Sequence, residues 1–151
     1  MLTINEYRKV ESLEEAYELN QKKNNKIIAG GVWMKIGDRR IATAIDLSGL
    51  GLDQITETDT EFVIGAMTTL REMEKHAGLA AYTDGAIRES VRHIVGVQFR
   101  NCATVGGSIF GRFGFSDVLT VFLAMDTQVE LYHAGMVSLK EFIDMPYDND
   151  I

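Results

Sequence analysis

Along this chain the spacing of apolar positions changes repeatedly, and each change marks an element. Ser12-Leu13-Glu14-Glu15 sets a serine three residues before a glutamate, the capping-box order that opens a helix. Leu13, Ala16, Tyr17 and Leu19-Asn20 follow on one side, and the polar run NQKKNNK closes the helix. Residues 26–29 are a short apolar run of strand length that stops at Gly30-Gly31. Residues 32–36 predict a brief helix and residues 42–47 a second strand. Strand, glycine turn, helix and strand together form a βαβ pattern.

Residues 48–60 are rich in turn formers, and residues 61–66 predict the next strand. Thr69-Leu70-Arg71-Glu72 is a second capping box, opening a helix to about His76. Residues 86–95 predict a helix with Ile87, Val91, Ile94 and Val95 on one side. Residues 103–109 read as a strand interrupted by glycines. Residues 117–125 carry VLTVFLAM, whose length favours a buried helix over a strand. Residues 127–132 alternate as a half-buried strand does, and residues 138–144 suggest a last helical turn.

At 151 residues, the chain suits one domain or two small lobes sharing a core. The net charge of −7, with no basic run longer than Lys22-Lys23 or Arg39-Arg40, argues against nucleic acid as a partner. No stretch approaches the roughly 18 apolar residues of a membrane span. The opening MLTINEYRKV lacks the basic-then-apolar order of a signal peptide. The single cysteine, Cys102, excludes an intramolecular disulfide and a cysteine metal cage. His76, His93 and His133 make no ligand pair at helical spacing, so no metal site is expected. These features point to a reducing cytoplasm.

Two glycine pairs carry the candidate chemistry. A glycine after a strand permits a sharp turn and removes the Cβ that keeps a ligand from the backbone. A following helix aims free N–H groups and its dipole at the same point, which suits anionic oxygens. Gly30-Gly31 fit this pattern, as do Thr104, Gly106 and Gly107, and Ser116-Asp117 can add hydrogen bonds. Plainer readings stand beside these. Gly30-Gly31 can be only a turn, Gly106-Gly107 a bulge or a close strand crossing, and Ser116-Asp117 a helix cap. Trp33 and Met34 read as core, Cys102 as an inert buried thiol, His93 as a solvated helix position and Arg100-Asn101 as a polar bend. The spacing fits neither G-x-G-x-x-G nor G-x-x-x-x-G-K-[ST].

The ordered set IIAGG, VIGAMTTL, FRNCATVGGSI and SDVLTVFLAMDTQVEL resembles the FAD-binding domain of molybdopterin dehydrogenases. These are the flavin subunits or domains of xanthine dehydrogenase, carbon monoxide dehydrogenase (its medium subunit) and related molybdenum hydroxylases. The resemblance runs from about Tyr7 to Phe142. It implies an α+β fold of the PCMH type: a small N-terminal βαβ lobe, about residues 1–55, and a larger mixed lobe with an antiparallel sheet, about residues 56–151. FAD is expected between the lobes, and the family's C-terminal domain is expected to be absent from this sequence.

The resemblance also implies the contacts. The first loop matches Ile28, Ala29, Gly30, Gly31, Val32 and Trp33, with Lys26 and Ile27 beside it, and holds the pyrophosphate through backbone amides. The second gives Ala103, Thr104, Gly107 and Ser108. Ser116 and Asp117 approach FAD, and Ile94 takes the place of a large apolar side chain against it. Two stretches depart from the pattern: Val32-Trp33, where small polar residues are usual, and FGRFGFSD, with Phe110, Arg112, Phe113 and Phe115, where an NASPAAD-like sequence is common. An arginine there would favour phosphates.

The implied function is electron transfer: a molybdopterin-binding large subunit acts on substrate, an iron–sulfur small subunit carries electrons, and FAD passes them to NAD or another acceptor. The flavin carries that chemistry, so no side chain is named as catalytic. Two alternatives remain: a flavin-free scaffold or interface fragment, and a binding module for another nucleotide. An apolar face where the further domain would sit would promote a homo-oligomer.

Overall fold

The computed structural model describes residues 1–148 and 150–151. The chain divides into two compact units. The first comprises Met1–Ile28, Trp33–Leu50 and Phe122–Ile151, and the second Ala29–Val32 and Gly51–Val121. Helices and small sheets are mixed throughout, which makes the fold α+β.

The first unit is built on a three-stranded parallel sheet of order β1-β3-β2, with β1 Thr3–Lys9, β2 Lys26–Ile28 and β3 Arg40–Asp46. In register Ile4 faces Ile41, Tyr7 faces Ala44, and Ile27 faces Ile45. The central strand supplies the buried residues Ile41, Ala44 and Ile45. Helix α1, Leu13–Asn20, packs on β2 and β3 and buries Ala16. Ser12 caps α1 by accepting the Glu15 N–H. The Glu15 carboxylate turns instead to the Glu11 N–H and to Arg8, so only half of the expected capping box forms.

At the far end of β3, Asp46 accepts the Tyr7 hydroxyl and both donors of Ser48. Burial alone would raise the Asp46 pKa, but these hydrogen bonds outweigh it and hold the carboxyl below its ordinary range. The expected helix after the first glycine pair is a single 3₁₀ turn, Met34–Ile36. Trp33, read from sequence as core, is 56% exposed. The antiparallel hairpin of β6, Gln128–Leu131, and β7, Gly135–Ser138, also belongs to this unit. Helix α8, Leu139–Asp144, packs on that hairpin behind a complete Ser138–Glu141 capping box.

The second unit carries a two-stranded antiparallel sheet, β4 Ile55–Glu57 with β5 Phe62–Ile64. It then carries helices α2 Leu70–Lys75, α3 Ala77–Tyr82, α4 Ala86–Arg92, α5 Val97–Arg100 and α6 Val105–Phe110. Strand β4 lies in the stretch expected to be only turns. The Thr69–Glu72 capping box opens α2 with both halves made. Leu70, Met73, Leu79, Ile87 and Val91 are buried.

Helix α4 stops at Arg92, short of Val95. That residue, expected on the apolar side, is 79% exposed with a left-handed φ of 50°. Helix α7, Asp117–Leu123, buries Val118, Leu119 and Phe122, as its apolar run requires. The segment expected as a glycine-interrupted strand is helix α6. Its start is fixed by one isolated antiparallel bridge, Thr69 to Thr104.

Candidate functional site

In the second unit the first glycine pair meets the segment that leads into the second. A Cβ added to Gly30 would fall on the Cys102 carbonyl group and lie 3.0 Å from the Ala103 nitrogen. Only glycine allows the two backbones to press together in this way. Gly31 is required for a different reason, a φ of +65°. Beyond this crossing the loop stays half-buried, and among the described residues no hydrogen bond engages the N–H groups of Gly30, Gly31 or Val32. Such a row of donors suits the oxygens of a phosphate or carboxylate.

The second loop differs from the expectation. Its amides are engaged within the protein: Val105 N–H bonds the Thr68 carbonyl at 2.9 Å, Gly106 N–H the Ala66 carbonyl at 3.0 Å and Gly107 N–H the Thr104 hydroxyl at 3.1 Å. The sequence reading of free helix N-terminal donors therefore fails for the second loop, and in the first the unengaged amides precede the 3₁₀ turn rather than open a helix. Gly106 is pressed on Ala66, whose Cβ and carbonyl oxygen would lie 2.7 Å from an added Cβ. Gly107 is exposed, and an added Cβ there would meet only Thr104 Oγ1, at 3.0 Å. Thr104 is buried and serves as the cap of α6, and the Ser108 hydroxyl donates to the Thr104 carbonyl.

A buried ion pair anchors the segment before this loop. Arg100, 5% exposed, sets Nε 2.8 Å from the Glu74 carboxylate and donates to the Ile94 carbonyl at 3.2 Å. Arg71 reaches the same carboxylate oxygen at 2.9 Å. Burial pushes the Glu74 pKa up, but the hydrogen bonds and charges of Arg71 and Arg100 prevail and hold it below the ordinary range. Arg100 is thus no polar bend. It ties Ile94 and α2 to the start of the second loop, a role that an apparently polar dipeptide does not advertise.

Of the residues expected to contact FAD, Ala29, Gly30, Gly31, Val32, Ile94, Ala103, Thr104, Gly107, Ser108, Ser116 and Asp117 lie in the second unit. The backbone contact joins the first loop to Ala103, and Arg100 links Ile94 to the same segment. Ser116 accepts the Leu119 N–H as the cap of α7, and Asp117 is exposed in that helix's first turn. Lys26, Ile27, Ile28 and Trp33 belong to the first unit. Cys102, read as a buried thiol, is exposed. No helix among the described residues is long and apolar enough to cross a membrane.

A tight backbone crossing beside unengaged amides, in an α+β frame, offers donors of the kind that phosphate-bearing ligands accept. The family described as the FAD-binding domain in molybdopterin dehydrogenase matches residues 3–151, and the chain belongs to that family. FAD is accordingly its cofactor.

The protein YgfM of Escherichia coli K12 is 28% identical over 153 residues, covering 96% of this chain and 56% of its own length. A carbon monoxide dehydrogenase from Hydrogenophaga pseudoflava superimposes with a TM-score of 0.86 at 25% identity, over 97% of this chain and 56% of that one. The carbon monoxide dehydrogenase of Oligotropha carboxidovorans gives 0.79 at 26% identity, over 91% and 51%. The chain therefore spans about half the length of the relatives it matches.

Proposed function

We propose that this chain binds FAD with its phosphates on the Ala29–Val32 loop and acts as the electron-transfer component of a molybdenum hydroxylase. Bound FAD supplies the redox chemistry; the protein residues hold and orient it. The observation that carries the reading is the crossing of Gly30 over Cys102, which leaves three adjacent N–H donors half-buried and unengaged. Ile94, Ala103, Thr104, Gly107, Ser108, Ser116 and Asp117 complete the proposed contacts in the second unit, and Lys26, Ile27, Ile28 and Trp33 flank the loop in sequence.

The proposed partners are a molybdopterin-binding subunit and an iron–sulfur subunit, with NAD or another acceptor taking the electrons. The name of one relative, a carbon monoxide dehydrogenase with a molybdenum cofactor, supports the molybdenum partner in this reading. A thermal-shift series tests the phosphate assignment. FAD should raise Tm more than riboflavin, because the loop addresses phosphates. At a hundred times Kd, FAD should add about 2.7 kcal/mol of stability. Equal shifts with riboflavin would refute the loop's role.

A further inference from the structure

We propose that the segment at residues 110–115 is an aromatic platform for a planar ring of the bound dinucleotide, an inference that rests on the FAD reading above. Three phenylalanines lie within six residues, and all count as exposed: Phe110 at 48%, Phe113 at 40% and Phe115 at 68%. Phe113 and Phe115 stack with centroids 5.2 Å apart and planes 13° from parallel. The Arg112 guanidinium stands 6.0 Å from the centre of the Phe110 ring. The backbone shapes this display through a left-handed Arg112, at φ 49°.

The platform's position follows from Gly111. A Cβ there would lie 2.8 Å from Phe113 Cε2 and 3.3 Å from the Gly107 carbonyl oxygen. Phe113 therefore packs against the C-terminal end of α6, one turn beyond Gly107, whose carbonyl accepts the Gly111 N–H. In sequence, the segment runs directly from Ser108 to Ser116 and Asp117, between two groups of proposed FAD contacts.

Exposed aromatic area is unfavourable in water, whereas a stacked pair is preorganised to receive a third flat ring. Heterocycles stack on aromatic side chains at about 1–3 kcal/mol each, with little regard to ring identity. A guanidinium within the same loop adds attraction for ring faces and for phosphate. The net charge of −7 disfavours a nucleic acid strand as the occupant. The rings of the dinucleotide are the flat ligand that the neighbouring contacts bring to this loop.

The test titrates the wild-type chain, Phe115→Ala and Phe115→Tyr with FAD and with ADP, with circular dichroism confirming each fold. Phe115→Ala should weaken FAD binding by about 5- to 150-fold, and Phe115→Tyr should restore it. ADP weakened in parallel assigns the platform to adenine, whereas ADP unchanged assigns it to the isoalloxazine ring. FAD affinity untouched by Phe115→Ala overturns the platform alone. Unchanged FAD affinity with altered self-association or partner capture also overturns it, in favour of a protein interface. A wild-type chain that binds no FAD overturns both this inference and the reading beneath it. Should Phe115→Ala fail to fold, Phe115→Leu keeps the apolar bulk without the ring face and must show the same loss.

Discussion

Gly30 and Gly107 each stand in a glycine pair, yet they answer to different constraints. At Gly30 an added methyl falls on the Cys102 carbonyl group, backbone that cannot swing aside. Gly30→Ala should cost about 1–3 kcal/mol in urea unfolding and lower FAD affinity with it. At Gly107 the methyl meets only a threonine hydroxyl, and the site lies in helix α6. Gly107→Ala should leave stability unchanged or higher by about 0.5–1 kcal/mol while reducing FAD affinity. Gly30→Ala as stable as the wild type would mean that the two loops do not press together. Sequence alone flagged both positions but could not separate them, because the difference lies in what the neighbouring chain brings up.

At the scale of elements, short-range chemistry was legible and long-range support was not. The Ser12 and Thr69 caps are local signals read from sequence, and both form; Ser138, placed only within a last helical turn, proves to be a third cap. Helix α6 was invisible because Thr-Val-Gly-Gly-Ser has poor helical propensity and no apolar stripe. Its first turn is held instead from outside, by Thr68 and Ala66 carbonyls and the Thr104 hydroxyl. Thr104→Ala should therefore lower Tm by about 2–4 °C, for about 1 kcal/mol of lost capping, and Thr104→Ser should stay near the wild type. Differential scanning calorimetry distinguishes the two. Strand β1 carries no apolar signal in the sequence for a related reason. All its residues are exposed, so its place at the sheet edge rests on the backbone ladder to β3 rather than on apolar alternation.

For the molecule as a whole, Glu74 sets an acid limit. Its folded-state pKa is depressed, so its contribution is fully present above the ordinary glutamate value of about 4.3 and is lost as the pH falls through the lower folded value. Arg100→Met should cost about 3 kcal/mol at pH 7, moderated by Arg71, which still reaches the carboxylate. The double variant Arg100→Met, Glu74→Leu should recover much of that loss and show a flatter stability profile between pH 6 and pH 3. Urea titrations across that range measure both effects. A double variant no better than Arg100→Met would show that the pair is not the source of the acid dependence.

The Gly30 crossing has a practical corollary. The residue that lends its carbonyl to the crossing is the chain's single cysteine, and its side chain is open to solvent. Nature has thus placed one alkylation target where the two glycine loops touch. The rate at which a maleimide dye couples there becomes a clock for traffic at the loops, slowing when a cofactor shields the thiol and resuming when it departs, with no residue changed.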